Sequence, residues 1–265
     1  MLAKAVEAKV LKTNRVRADT TVVEANVAYP SDSGLLAKGV AKIAKTARKL
    51  KAMGFATRTT LADKTRSVRS RAHAINFNLK RRNDDKLAAV RKINGEMVTI
   101  AERAAGQADA VVRNARRKLR TLGDKASGRA RAAVETLART VELTRRIADQ
   151  TRRRLAGQTP EGATRIVSLH DGDARPIVKG RLGKPVEFGY KAQLVDNDDG
   201  VIVDHNVEIG NPPDADQLAQ RFGGSSGAPA RRHAPSWLRR TTRRRRPTRS
   251  RGAQSGAAPQ RPTQP

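Results

Sequence analysis

A helical pattern runs through residues 35–158 with few breaks, and strand-like alternation occurs only on either side of it. Apolar and small residues recur there at spacings of three and four, as the core-facing side of a helix requires. The three stripes are Leu36, Val40, Ile43, Ala47 and Leu50; Val90, Ile93, Met97, Ile100 and Ala104, continued by Ala108, Val111, Ala115 and Leu119; and Val134, Leu137, Val141, Thr144 and Ala148. Gly54, residues 83–85 and Gly123 are candidate breaks. The block therefore predicts helical hairpins or antiparallel coiled-coil packing.

The residues before this block predict a helix and then a strand. Residues 2–11 carry apolar side chains on one helical face, and residues 15–27 alternate with the period of a strand. Pro30 ends that strand, and residues 31–33 offer N-cap oxygens for a helix that begins near Leu35.

The residues after the block return to strand patterning. Residues 165–169 predict a short strand, and residues 187–195 and 201–208 predict a β-hairpin around the turn at residues 196–200. Another helix is expected to start at Asp214. A sheet split by a helical block is the order that an inserted helical domain would produce.

The fold class predicted from these patterns is α+β and predominantly helical. Beyond Phe222 periodicity is lost, and all basic residues are arginines, so a disordered tail is expected. The predicted segments are 1–34, a helix and the first strand; 35–158, the basic helical insertion; 159–219, the hairpin part of the sheet; and 220–265, the arginine-rich tail.

Charge is concentrated in the helical block. The chain has a net charge of +30, and residues 35–158 contribute 32 basic and 10 acidic side chains. Residues 217–265 contain 12 arginines and no acid. Such blocks predict a polyanionic partner, because bound lysine and arginine release counterions from nucleic acid. A membrane surface is less well matched, since the basic segments lack a bulky apolar face. The absence of cysteine excludes disulfides and thiolate chemistry.

Several strings in the sequence resemble DDE transposases of bacterial insertion sequences, of the ISNCY type. They are RVRADTTVVEANVAYPSDSGLL at residues 15–36, QTPEGATR at 158–165, VSLHDGDARPI at 167–177, KGRLGKPVEFGYKAQ at 179–193 and DHNVEIGNPPD at 204–214. The resemblance covers roughly residues 1–219. It implies that the sheet is part of an RNase H-like core, interrupted by the basic helical insertion.

The resemblance also implies a chemistry and a site. In the family, three carboxylates hold two Mg²⁺ or Mn²⁺ ions, which promote in-line attack on a DNA phosphodiester. The first carboxylate lies in an Asp-Thr-Thr motif on the first strand, which places the catalytic and metal-binding role on Asp19. DNA, including the ends of an insertion sequence, is the implied partner, and a homo-oligomer is an open possibility. A cytoplasmic protein associated with the nucleoid through DNA is expected.

The sequence departs from the family pattern beyond its hairpin. The second carboxylate is expected in an Asp-Arg-Gly motif after Asp214, yet no such motif occurs there and no acid follows Asp216. Since the first strand begins near residue 15, the N-terminal DNA-binding region of the family is also expected to be missing. One carboxylate cannot hold two metal ions, so the chain is expected to be an inactive remnant of a DNA strand-cleaving and strand-transferring enzyme.

Other acidic clusters receive structural interpretations. His170, Asp171 and Asp173 predict a polar turn rather than a metal site, since no further histidine follows at ligand spacing. Residues 196–199 predict turn chemistry rather than a calcium loop. Asp204 lies inside a hairpin strand and is expected to be structural. The alternative function is a non-enzymatic, basic coiled-coil protein that binds DNA through residues 35–158 and the tail.

The arginine-rich tail generates a test at the level of the gene. Arg, Gly, Ala and Pro have GC-rich codons and dominate an out-of-frame translation of GC-rich DNA. We expect one of the two other reading frames, from about codon 215 onward, to continue the helix and then encode an apolar strand that ends in Asp-Arg-Gly. Translation of those frames checks this directly. If both lack the motif, the tail is a genuine nucleic-acid-binding arm.

Overall fold

The computed structural model describes residues 15–214, except residues 83, 84, 126 and 181. Eight regular helices and strands lie in this part of the chain. In order they are β1 (Val16–Glu24), α1 (Asp32–Ala52), α2 (Thr65–Lys80), α3 (Lys86–Leu122), α4 (Gly128–Leu155), β2 (Arg175–Val178), β3 (Val186–Asn197) and β4 (Ile202–Ile209), with a short 3₁₀ turn at Gly123–Lys125. The predicted α+β class is confirmed. The helix expected at residues 2–11 and the tail at 220–265 lie outside the described residues.

The four helices pack around an interior in which alanine and small aliphatic side chains are frequent. The two predicted stripes on α1 and α4 are buried throughout, and the α3 stripe is buried along its middle. Gly39 of α1 lies against Thr144 of α4, so closely that an added Cβ would come within 2.6 Å of the threonine Oγ1. Close helix contact of this kind needs small residues, which explains the alanine-rich seams.

Buried threonine hydroxyls on α4 are satisfied within the helix itself. Thr140, Thr144 and Thr151 each donate to the carbonyl oxygen four residues earlier, at 2.6, 2.7 and 2.7 Å. A hydroxyl with a partner costs little to bury, so α4 keeps these polar residues on its core-facing side.

Helices α3 and α4 form an antiparallel hairpin. Gly123 ends α3 with a φ of 52°, and Ser127 starts α4 by accepting a hydrogen bond from the Ala130 amide at 3.2 Å. Ion pairs join Arg116 to Glu135, Asp109 to Arg145 and Glu102 to Arg152. From the first pair to the last, the residue number decreases along α3 and increases along α4, as antiparallel packing requires. The hairpin prediction is confirmed here.

A polar cluster that is buried except for Arg154 closes the base of the helical block, and we name it the base clasp: Asp32, Gln150, Arg154 and the backbone of Ile166. The Gln150 side chain accepts from the Ile166 amide at 3.0 Å and donates to the Ile166 carbonyl at 3.2 Å. It also donates to the Asp32 carboxylate at 3.0 Å, and Arg154 lies 3.2 Å from the other oxygen of that carboxylate. The start of α1, the end of α4 and the chain leading to β2 are thereby joined.

The four strands form an antiparallel sheet with β3 as its shared strand. β1 pairs with residues 189–197 of β3 along one edge. Along the other edge, β2 pairs with residues 186–189 and β4 with residues 191–196. No strand residue in the described part of the chain belongs to the two core clusters of the helices. The sheet therefore has its own small interior, which includes Ile177, Tyr190 and Ala192.

The strand predicted after the helical block is wrong. Residues 165–169 form no strand, because Ile166 and Leu169 are buried against the helices and Gln150 takes the hydrogen bonds of Ile166. The strand on that side is β2, which begins at Arg175. Helix α2 lies between the predicted breaks at Gly54 and residues 83–85, and it carries no apolar stripe because only Val68 and Ile75 on it are buried.

The base clasp makes a prediction about stability. Gln150→Ala removes every partner of the Ile166 amide in the clasp and one donor to the Asp32 carboxylate. Because unpaired buried polar groups each cost free energy, we expect the free energy of unfolding to fall by about 2–4 kcal/mol. Urea denaturation measures it. Gln158→Ala, at an exposed position, is the control, and equal midpoints for the two variants would contradict the role of the clasp.

Candidate catalytic strand and nucleic-acid groove

Asp19 lies in the middle of β1, directly opposite Leu194 of β3. Its side chain is exposed, and its Oδ1 accepts a hydrogen bond from the backbone amide of Thr20 at 2.8 Å. The prediction that Asp19 lies on a strand beside the hairpin is therefore confirmed. The sequence also predicts a mixed sheet around Asp19, and this prediction is wrong, because every named strand pairs antiparallel.

The sheet presents two chemically different faces, because successive side chains of a strand point in opposite directions. On the face that we name the Asp19 face, Asp19, Leu194 and His205 form one row across β1, β3 and β4. Arg17 and Asp196 form an ion pair on the same face at 2.7 Å. The face thus carries one carboxylate at mid-strand and a cation–carboxylate pair beside it.

The opposite face holds the start of the segment that follows the hairpin. Lys191 lies 2.5 Å from the Asp214 carboxylate, and Gln193 donates to the Asp214 carbonyl at 3.3 Å. The hydrogen bond from Lys191 and its charge lower the pKa of Asp214, with a further contribution from the Thr20 hydroxyl. Asp214 is consequently held as a carboxylate on the side of the sheet away from Asp19.

Asp204 also lies away from Asp19. It pairs in register with Val195, one residue beyond Leu194, so its side chain leaves the sheet on the Asp214 side. Its Oδ1 accepts from the His205 amide at 2.8 Å. The placement agrees with the structural interpretation of this acid.

The acids near residue 170 organise a turn. The Ser168 hydroxyl accepts from the amides of His170 and Asp171 at 3.1 and 3.2 Å. Asp171 in turn accepts from the amides of Asp173 and Ala174, both at 3.3 Å, and from the hydroxyl of buried Tyr190. The Asp171 carboxylate therefore stabilises this turn and links it to β3, which agrees with the polar turn predicted from the sequence.

The hairpin turn is likewise built by side-chain hydrogen bonds. Asn197 Oδ1 accepts from the amides of Asp199 and Val201 at 3.1 and 2.9 Å. Gly200 supplies the left-handed backbone that the turn needs, with a φ of 74°. Turn chemistry therefore accounts for residues 196–200.

The donors around Asp19 do not fit the two-metal site that the family resemblance implies. In the described part of the chain, no three His, Asp or Glu side chains come together in a way that could hold a metal ion. The row neighbour of Asp19 is the apolar Leu194, and His205 lies two strand spacings away, about 10 Å. Asp19 is the one residue of the implied set that the described chain supplies.

A second feature is a groove of about 1290 Å³ that runs along α1. We name it the basic groove. Its basic lining residues are Lys38, Lys42, Lys45, Arg48, Lys49, Arg69 and Arg129, and its apolar ones include Leu35, Ala37, Ala41, Ala132, Ala133 and Leu169. No Asp or Glu is among its lining residues, all of which are described. Tyr29, with 85% of its surface exposed, lines the end of the groove nearest the sheet.

Most cations of the basic groove are not neutralised. Arg48 lies 3.6 Å from the Asp63 carboxylate. Lys42 is half-buried and donates to the Leu169 carbonyl at 3.1 Å; burial lowers the pKa of its ammonium, and nearby Arg139 adds to the effect. Within residues 15–214 as described, the remaining five form no ion pair with a carboxylate.

The arginines at the end of α4 are different, because several carboxylates neutralise them. Arg152 pairs with Glu102 and Asp149, Arg153 with Asp149, and Arg154 with Asp32. Sequence alone gives both regions the same basic character. Only the packing shows that the lining residues of the basic groove include no acid.

Part of the basic groove is visible in the sequence. Lys38, Lys42, Lys45 and Lys49 follow one another at spacings of four, three and four, which places them on one face of α1. Arg69 and Arg129 come from α2 and the start of α4, and no local pattern connects them to that face. The groove itself therefore could not have been located without the helix packing.

In comparisons with known proteins, no family model, no curated protein and no solved structure matches the chain. In the described residues, none of the helices combines the length and apolar character that crossing a membrane requires. The geometry of β1 and of the basic groove is accordingly the basis for the functional proposals.

The pairing that positions Asp19 depends on Gly189. A Cβ at this residue would lie 2.1 Å from the Val23 carbonyl oxygen and 2.8 Å from the Ala25 nitrogen, both backbone atoms that cannot move aside cheaply. We expect Gly189→Ala to lower the free energy of unfolding by about 1–3 kcal/mol and to speed hydrogen exchange of the β1 amides.

Gly106→Ala is the matched control for this change. Gly106 is exposed within α3, and an added Cβ would meet no atom within 4 Å. Alanine there should stabilise the protein by up to about 1 kcal/mol, because it favours the helix over glycine. Unchanged β1 exchange in Gly189→Ala would show that the close approach is not needed for pairing.

Proposed function

We propose that the chain derives from a DDE transposase, an enzyme of DNA strand cleavage and transfer, and that Asp19 is the first of its catalytic carboxylates. The observation that carries the proposal is the position of Asp19. It stands at mid-strand in β1, side by side with a β-hairpin more than 150 residues later in the chain. The strings that resemble the family lie on these same strands, before and after the helical block.

The arrangement of the sheet supports this proposal in a second way. In the described residues, β1 pairs with β3 along one edge only. A strand added at its other edge would lie next to Asp19, where a second carboxylate could approach it. An open edge beside the proposed catalytic residue is where the Asp-Arg-Gly strand of the family would fit.

We expect the chain as it stands to bind DNA without cleaving it. Mg²⁺ or Mn²⁺ would supply the chemistry of cleavage, and Asp19 alone cannot retain such an ion. Binding needs only cations, and those of the basic groove are already in place.

The second candidate function is nucleic-acid binding without any enzymatic ancestry. The observation in its favour is the basic groove, which lies wholly outside the sheet strands and needs no catalytic residue. The two functions differ in what they require of Asp19, which is essential to the first and irrelevant to the second.

Cleavage by a chain with the restored reading frame tests the proposed enzyme. We expect end-labelled DNA to be cut in Mg²⁺ or Mn²⁺, and Asp19→Asn to slow cutting by at least about 100-fold, since even residues outside a metal's ligand sphere matter 10–100-fold. Asp204→Asn, on the opposite face of the same sheet, is the control and should cut normally. Equal cutting by both variants, or no cutting by the restored chain, would support the non-enzymatic alternative.

A further inference from the structure

We propose that the basic groove binds one strand of single-stranded DNA, with phosphates on the lysines of α1 and a base stacked on Tyr29. The phosphate and base contacts are argued from the groove alone, whereas the choice of DNA over RNA rests on the proposed function. The partner follows from three properties: charge, an apolar floor and an exposed aromatic ring.

The row of positive charges in the groove matches a polyanion better than a small anion. The lysines at residues 38, 42, 45 and 49 span eleven helical residues, about 16 Å of α1 at 1.5 Å per residue. A single phosphate contacts one or two of these ammonium groups at most. A row of cations without acids matches a row of phosphates.

The size and floor of the groove call for bases as well as phosphates. Its volume of about 1290 Å³ exceeds the 300–1,000 Å³ that is usual for small-ligand pockets. Alanines of α1 and α4 and Leu169 give it an apolar floor. A duplex hides its base faces inside the stack, so such a floor has nothing to contact in a duplex. The exposed bases of a single strand can cover it.

Tyr29 gives the groove a stacking platform and a direction. Its ring packs edge-to-face on Phe188, with centroids 5.9 Å apart, and remains 85% exposed. Base–aromatic stacking is a general device of proteins that bind single strands without regard to sequence. The contact with Phe188 fixes the ring where β1 ends and the groove begins.

The groove opens on the same face of the sheet as Asp19. Phe188 and Leu194 are six residues apart on β3 and therefore share a face, and Leu194 is the partner of Asp19. The separation is about 20 Å along the strand. Buried Tyr190 and Ala192 lie between Phe188 and Leu194 on that face, so the contacts proposed for the bound strand end at Tyr29.

Binding of fluorescent oligothymidylate to the full chain tests the proposal. The groove variant is the triple substitution Lys38→Gln, Lys45→Gln and Lys49→Gln. Its matched control, Arg113→Gln, Arg117→Gln and Arg120→Gln, removes the same charge from exposed positions of α3 outside the groove. We expect the groove variant to reduce the slope of log affinity against log salt by about 2, at roughly 0.7 per phosphate lost. The control should leave that slope unchanged.

Tyr29 is tested with a conservative pair. Tyr29→Ala should weaken oligothymidylate binding about ten-fold, and Tyr29→Phe should bind normally, since the ring face is kept. A duplex of the same length should bind the wild-type chain more weakly than the single strand, with no effect of Tyr29→Ala. Circular dichroism of each variant confirms that the helices remain folded.

The outcomes separate this inference from the proposed enzyme. Equal losses in the groove and control triples would overturn the groove as the binding site. If the duplex binds more tightly than the single strand, or if Tyr29→Ala has no effect, the proposal that the ligand is single-stranded is wrong. If oligouridylate binds more tightly than oligothymidylate, the choice of DNA over RNA is wrong. Asp19→Asn is expected to bind oligothymidylate normally. If the restored chain does not cut DNA while the groove variant still weakens binding, the proposed enzyme has failed; if the restored chain cuts DNA while the groove and control triples bind alike, the groove inference has failed.

Discussion

The base clasp holds the two halves of this fold together, because a sheet split by more than a hundred residues of helix forms only if the helical block begins and ends at the same place. Gln150 bonds both backbone groups of Ile166 and reaches the Asp32 carboxylate, so one amide joins the entry and exit of the block. Arg154 balances the buried charge of Asp32. The clasp thereby brings the chain after the helical block back to β1. β3 can then pair with β1 in the register that places Asp19 opposite Leu194.

The interior of the protein is divided in a way that follows from this arrangement. Two clusters of buried residues join the helices, and within the described chain neither cluster includes a strand residue. Tyr190 shows how the smaller part is attached: its buried ring lies under the sheet, and its hydroxyl bonds Asp171 in the turn that follows Leu169. Direct helix–strand packing contributes little, so the turn segment transmits the position of the helices to the sheet.

The sequence predicts the elements that depend on local periodicity, and it does not predict the features that tertiary contacts determine. The stripes of α1 and α4, the hairpin and the strand position of Asp19 all follow from spacing or turn chemistry. Residues 165–169 alternate like a strand, yet Gln150 takes the hydrogen bonds of Ile166 before another strand can. The pairing of Asp19 with Leu194 is beyond any local rule, because the intervening chain must first fold. The basic groove needs three helices and had no signal beyond the lysine spacing on α1.

Packing places carboxylates beside one basic region of the helical block and none in the lining of another. Arginines of α4 near the base clasp are neutralised by Glu102, Asp149 and Asp32, so their positive charge supports the helix bundle itself. The lysines of α1 face a groove without acids, where their charge is available to a ligand. The two basic regions thus differ in their distance from carboxylates. The groove begins at Tyr29, a few residues after β1, and Tyr29 packs on Phe188 of β3, so the sheet fixes the position of that end of the groove.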